Sequence, residues 1–177
     1  MNDVCKNSLK TNGHIFLVGF MGAGKTTIGR ALAENLNRQF FDLDDLIVKR
    51  VEKSIPDIFR ESGEAFFREL ESQTLSDCKQ LCEAVIALGG GAFVNEKNQQ
   101  LTRGMGVSIW LDCPIATILT RIEFDGSRPL ARNKTLVQEL FNQRSSAYAQ
   151  ADLRIFAGEQ TIDQIVEEII KLLRNRR

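Results

Sequence analysis

The stretch IFLVGFMGAGKTTIGRALAENLN, residues 15–37, decides the fold. Ile15-Phe16-Leu17-Val18 is a short apolar run closed by a glycine, which reads as a buried strand. Ile28, Leu32 and Leu36 recur every four residues and give a helix from about Lys25 to Asn37 one buried face. Between them, Gly19 to Thr26 fits the pattern GxxxxGK[ST], set between strand and helix as its mechanism requires. Glycines let the backbone curl so that its N–H groups point at phosphate oxygens, and the helix N-terminus adds partial positive charge. Gly22, Ala23, Gly24, Lys25, Thr26 and Thr27 are the candidate phosphate cradle. Lys25 suits the β- and γ-phosphates, and the Thr26 hydroxyl suits Mg²⁺. The alternative is a glycine-rich turn carrying a surface lysine. The complete motif favours a nucleoside triphosphate but leaves open what is done with it.

Outward from this unit, strands and helices alternate. Gln39 to Phe41 reads as a strand and Asp44 to Lys53 as a helix, with Pro56 in a further turn. A long helix is expected over Glu64 to Leu81, with Phe67, Leu70, Leu75 and Cys78 in the core. Ala84–Leu88, Gly106–Leu111 and Leu153–Phe156 read as strands. Asp112 and Pro114 are expected to open a helix, and residues 123–133 to form a loop. Leu136, Leu140 and Arg144 share a face of the helix that follows. Thr161 and Gln164 have capping-box spacing before a last helix striped by Ile162, Ile165, Val166, Ile169 and Leu173. The pattern predicts a single α/β domain over residues 1–177, a three-layer α/β/α sandwich around a five-stranded, mostly parallel sheet. Residues 1–13 are expected to be a loose tail.

Composition narrows the function. The chain has 177 residues, 43% hydrophobic and 26% charged, as an ordinary globular domain does. Its 23 basic and 23 acidic residues cancel, which argues against a general nucleic-acid or anionic-membrane binder. No stretch is long enough to span a membrane. The run at 15–24 has the length of a signal core, but no small-x-small cleavage pattern follows it, so a cytoplasmic protein is expected. Cys5, Cys78, Cys82 and Cys113 form no CxxC pair and read as reduced thiols, three of them buried. His14 reads as a loop or strand-edge residue, not a catalyst. The zero net charge points to a monomer.

Several residues are candidates for a second substrate. Asp42 and Asp44 follow a strand; if the chain stays extended there, both carboxylates face one side. One suits metal support and the other the hydroxyl of a phosphoryl acceptor, unless they merely cap the next helix. No aspartate closes the strand at 84–88, which pushes metal support toward Asp42. Arg68 lies four residues after Glu64 and Arg144 four before Tyr148. Each alone reads as a solvated helix residue; if they converge, their planar forks suit a carboxylate. Gly89-Gly90-Gly91 directly follows a strand and suggests positive φ or close approach of backbone to a ligand, with a flexible turn as the alternative. Arg128 in the 123–133 loop is a candidate to close over a transferring phosphate.

Together these pieces resemble the shikimate kinase family, in the nucleoside-monophosphate-kinase-like branch of P-loop proteins. The matching segments are GFMGAGKTTIGRALA, FFDLDDLI, SIPDIF, GEAFFRELE, ALGGGAF, RPLA and QRSSAYAQAD, in that order between about Ile15 and Ala151. The resemblance implies ATP-dependent phosphorylation of the 3-hydroxyl of shikimate, giving shikimate 3-phosphate and ADP in chorismate and aromatic amino acid biosynthesis. It implies ATP as co-substrate with Mg²⁺, and a substrate-binding region at about 42–70 with a short lid at about 123–133. Gly22 to Thr27 would cradle the nucleotide, and Lys25 would stabilise the transferring group. Thr26 would ligate Mg²⁺, and Asp42 would support it through water. Asp44 would bind shikimate hydroxyls as base or orienter, Arg68 and Arg144 the carboxylate, and Gly90 would lend its backbone. Arg128 would reach the nucleotide phosphates from the lid. A kinase for gluconate or a nucleoside monophosphate, and a nucleotide-binding regulator without catalysis, are the competing readings.

Overall fold

The structure is a computed structural model that describes residues 13–122, 129–130 and 133–176. Five strands form one parallel sheet in the order β2-β3-β1-β4-β5. They are β1 (His14–Val18), β2 (Gln39–Asp42), β3 (Ala84–Ala87), β4 (Gly106–Asp112) and β5 (Leu153–Phe156). The helices are α1 (Lys25–Leu36), α2 (Leu43–Val51), α3 (Ile55–Asp77), α4 (Glu96–Met105), α5 (Ile115–Arg121), α6 (Lys134–Tyr148) and α7 (Ile162–Asn175). The sheet and helix stripes are those the hydrophobic pattern dictates. All five residues of β1 are buried, because it is the central strand between β3 and β4. Ile28, Leu32 and Leu36 of α1 are buried against the sheet, and a Cβ on Gly29 would meet the Phe40 ring at 2.5 Å, so α1 lies close on β2. Strand order reverses at β1, which opens a crevice at the carboxyl ends of the strands.

Several boundaries differ from the sequence reading. Pro56 belongs to the first turn of α3, which Ser54 caps by accepting from the Asp57 N–H, so α3 begins nine residues before Glu64. The expected start nonetheless has a structural counterpart, since Gly63 (φ 78°, ψ 173°) kinks the helix there. That conformation is essentially restricted to glycine. The helix ends at Asp77 and tightens into a 3₁₀ turn over Cys78–Gln80. Asp112 does not cap α5; Pro114 occupies the cap position, and the Asp112 carboxylate accepts from Arg154 instead. Leu136 and Ile162 sit on the exposed flanks of their helices, whereas Arg144 and the other four members of the α7 stripe are buried.

α4 is the one helix the periodicity does not foretell. Its buried residues are polar: Asn98, Gln99 and Thr102. Asn98 Nδ2 donates to the Ala92 carbonyl at 2.9 Å and Gln99 Nε2 to that of Phe93 at 2.8 Å. These bonds replace the apolar stripe on which pattern reading depends. His14 stands at the end of a strand and not in a loop. It opens the central strand, buried, with Nδ1 accepting from the Ala84 N–H at 3.2 Å. Cys78 and Cys113 are buried as expected and Cys82 is exposed, while Cys5 lies outside the described residues. None of the described helices is long and apolar enough to cross a membrane.

Candidate active site

At the carboxyl ends of β1, β2 and β3 the chain leaves an open cleft of about 530 Å³. One end is the loop after β1. Gly24 caps α1 with φ 93° and Gly22 has φ 76°, left-handed conformations that let successive N–H groups turn inward. Lys25 Nζ donates to the carbonyls of Gly19 at 3.0 Å and Phe20 at 2.9 Å, folding its charge across the loop mouth. Thr26 Oγ1 donates to Asp42 Oδ2 at 2.8 Å. Asp42 also caps α2, its Oδ1 accepting from the Asp44 N–H at 3.1 Å. The capping and metal-facing readings of Asp42 are therefore compatible, one oxygen serving each.

The other end of the cleft is acidic and basic at once. Asp44 is not on extended chain as the spacing suggested. It lies in the first turn of α2, and the turn swings its carboxylate into the cleft. Its Oδ1 is buried without a hydrogen-bond partner. Burial, reinforced by Asp42, pushes the carboxyl up to about 6 despite opposing attraction from Lys25 and Arg68. Arg68 on α3 makes the expected ion pair with Glu64, at 3.0 Å, and a second with Glu71 at 2.9 Å. Glu71 is 1% exposed, and its Oε1 has no partner. Burial also holds its carboxyl above the usual range, against the pull of Arg68.

Arg144 comes from α6 and is 7% exposed. Burial lowers its pKa, and the nearby Arg68 charge lowers it further, so the two guanidiniums converge at a cost. A bound carboxylate would relieve this crowding of like charge, between buried Arg144 and the partly exposed, already paired Arg68.

The glycine run explains how this cluster fits. A Cβ on Gly89 would stand 2.7 Å from Asp44 Oδ1 and 2.8 Å from Glu71 Oε1. One on Gly91 would strike the Arg68 guanidinium at 2.5–2.6 Å, and one on Gly90 would crowd the Met21 N–H at 3.3 Å. None of the three has positive φ, so close approach, not a left-handed turn, requires them. Tyr148, buried on α6, donates its phenol proton to the Gly90 carbonyl.

The comparisons with known proteins match this geometry. A family model described as shikimate kinase covers residues 21–174. The chain belongs to the shikimate kinase family. A shikimate kinase from Persephonella marina is 42% identical over 162 residues, spanning 91% of this chain and 99% of its relative. Among solved structures, the shikimate kinase from Acinetobacter baumannii in complex with shikimate superposes with TM-score 0.89 at 34% identity, covering 94% of this chain and 96% of that one. The shikimate kinase from Aquifex aeolicus gives TM-score 0.83 at 36% identity, over 92% and 96%.

The cleft gathers nearly every residue singled out by the shikimate kinase resemblance. Gly22 to Thr27, Asp42, Asp44, Arg68, Gly90 and Arg144 all line it. Arg128 and most of the expected lid at 123–133 lie outside the described residues; the adjoining Pro129 and Leu130 line the cleft. Sequence reading missed three residues. Glu71 was signalled only by its spacing three residues after Arg68 on one helix. Arg121, at the end of α5, lines the nucleotide end and donates to the Gly22 carbonyl at 3.4 Å, as a lone helix-terminal arginine with no motif around it. Tyr148 stood inside the QRSSAYAQAD segment, one turn beyond Arg144, but had no role assigned to it.

Proposed function

We propose that this chain is an ATP-dependent shikimate kinase, transferring the γ-phosphoryl group to the 3-hydroxyl of shikimate in aromatic amino acid biosynthesis. The observation that carries the reading is the convergence of Arg68 and Arg144 beside Asp44, in one cleft with a phosphate loop, in a member of this family. The loop N–H groups from Gly22 to Thr27 hold the ATP phosphates. Lys25 exchanges the Gly19 and Phe20 carbonyls for phosphate oxygens and stabilises charge on the transferring group. Arg68 and Arg144 take the shikimate carboxylate, and the Gly90 backbone meets its ring. Asp44 binds the 3-hydroxyl and takes its proton as the oxygen bonds to phosphorus and the bridge to ADP breaks. The unpartnered Oδ1 and the pKa of about 6 support that role. The family resemblance assigns Arg128, which lies outside the described residues, to the nucleotide phosphates.

The Thr26 hydroxyl and Asp42 carboxylate, 2.8 Å apart, are the hard oxygen pair that Mg²⁺ takes alongside phosphates and water. Thr26 would hold the ion and Asp42 would support it through water, and the ion would there supply positive charge against the phosphates.

We further propose that the enzyme is cytoplasmic, in keeping with the buried free thiols of Cys78 and Cys113. We read it as a monomer; the exposed large apolar side chains come from separate elements, such as Phe66 on α3 and Phe156 on β5. The test is ADP release from ATP, Mg²⁺ and shikimate. Shikimate-dependent release that falls by about 10²-fold or more in Lys25→Ala is expected. Release that shikimate does not stimulate would contradict the assignment.

A further inference from the structure

Tyr148 has no part in the reaction described above, yet it is among the largest fully buried side chains in the molecule. Its phenol oxygen touches both halves of the acceptor site. It donates to the Gly90 carbonyl, and it stands close enough to the Arg144 guanidinium to raise the pKa of that group. Those two partners are already neighbours, since a Cβ on Gly90 would stand 3.7 Å from Arg144 Nη1. They come from different elements, Arg144 from α6 and Gly90 from the turn after β3.

We propose that Tyr148 is a positioning residue for the acceptor site, whose single phenol oxygen accepts from Arg144 and donates to the Gly90 carbonyl. The proposal rests on the reading of that site as the shikimate pocket. A guanidinium only donates and a carbonyl only accepts, so one hydroxyl can serve both at once, accepting from the first and donating to the second. A phenol supplies one acceptor and one donor and closes the chain Arg144 N–H to Tyr148 O–H to Gly90 C=O. Burial pushes the phenol up to about 12, so it keeps the proton that the Gly90 carbonyl needs. The tilted Trp110 ring, 6.3 Å from that of Tyr148, flanks the phenol ring. The arrangement fixes the fork that meets the carboxylate and the peptide that meets the ring in one register. Loss of the oxygen leaves the Gly90 carbonyl without this donor and frees the Arg144 fork.

The chain contains a single tyrosine, which makes the test clean. Protein grown on 3-fluorotyrosine carries one ¹⁹F label, at position 148. Its resonance should move as shikimate saturates and stay in place when ADP is added alone. In parallel, Tyr148→Phe should raise the shikimate KM about 10-fold while the ATP KM stays within about twofold. In an Arg144→Lys background the same change should cost much less, because the two act as a unit. A resonance unmoved by saturating shikimate, or one moved equally by ADP, would overturn the proposal. So would a Tyr148→Phe enzyme with unchanged shikimate KM, or equal rises in both KM values. The fluorotyrosine label decides the matter even where Tyr148→Phe folds poorly. Wild-type turnover of shikimate is measured on the same preparation. Its absence would overturn the substrate reading and this inference with it; its presence with an unmoved label overturns the inference alone.

Discussion

Asp44 holds one carboxylate oxygen buried and unpartnered, and its pKa stands at about 6 against 3.8 for the free side chain. The folded state therefore binds a proton more tightly than the unfolded chain. The associated stability is fully present below 3.8 and is lost as pH rises through about 6, so at neutral pH the ionised group is a burden on the fold. Asp44→Asn should raise the melting temperature of the nucleotide-free protein at pH 7, by about 2–4 °C per kcal/mol gained. The same variant should lower kcat by about 10²–10⁴-fold. Unchanged stability with full activity would remove Asp44 from both roles. Glu71 is the counterpart on the binding side. Glu71→Gln keeps its shape but removes the charge that anchors Arg68 at 2.9 Å, and should raise the shikimate KM several-fold with the ATP KM unchanged. At this scale the sequence showed which side chains carry chemistry where a motif frames them, as at Lys25 and Asp42. It did not show Glu71, because nothing in a helix sequence distinguishes a buried acid from a solvated one.

The turn after β3 and the kink in α3 are the elements that shape the acceptor end. Gly89→Ala would push a methyl between Asp44 and Glu71, whose oxygens lie 2.7 and 2.8 Å from the new atom. Shikimate turnover should collapse while nucleotide affinity survives, as calorimetry with ADP would check. Loss of both would instead mark a folding defect. Gly63 is different, since open space surrounds its missing side chain but its φ of 78° and ψ of 173° exclude one. Gly63→Ala should cost about 1–3 kcal/mol in unfolding experiments. Strand positions and the α7 capping box were legible because periodicity and capping chemistry are local. The start of α3 was not, because a proline reads equally as a turn or as a first helical residue. α4 was not because it buries amides in place of apolar groups.

Across the whole molecule, the carboxyl ends of the strands are open and functional and the amino ends are stapled shut. At the amino ends the Arg38 side chain, 2% exposed, donates to the Gly13 carbonyl and pairs with Glu83, which also accepts from the Gly13 N–H. His14 lies beside them, its pKa lowered from 6.5 chiefly by burial. Its contribution to stability is present above 6.5 and is lost as pH falls from there toward the lower folded value. The stability advantage of wild type over His14→Asn should therefore shrink between about pH 7 and pH 5; a constant difference would show that protonation of His14 does not strain the fold. The three-layer architecture followed from alternating patterns, because a parallel sheet buries both faces and advertises each strand. The meeting of Arg68 and Arg144 did not, because it depends on how α3 and α6 approach the glycine turn. That meeting is the centre of the account, and the shikimate carboxylate is its most direct probe. The decisive measurement is kcat/KM for shikimate against its methyl ester, with ATP and Mg²⁺ saturating. Two guanidiniums built to hold a carboxylate predict a preference for shikimate of about 10²-fold or more, lost in Arg144→Ala. Equal turnover of acid and ester, or turnover of neither, would contradict it.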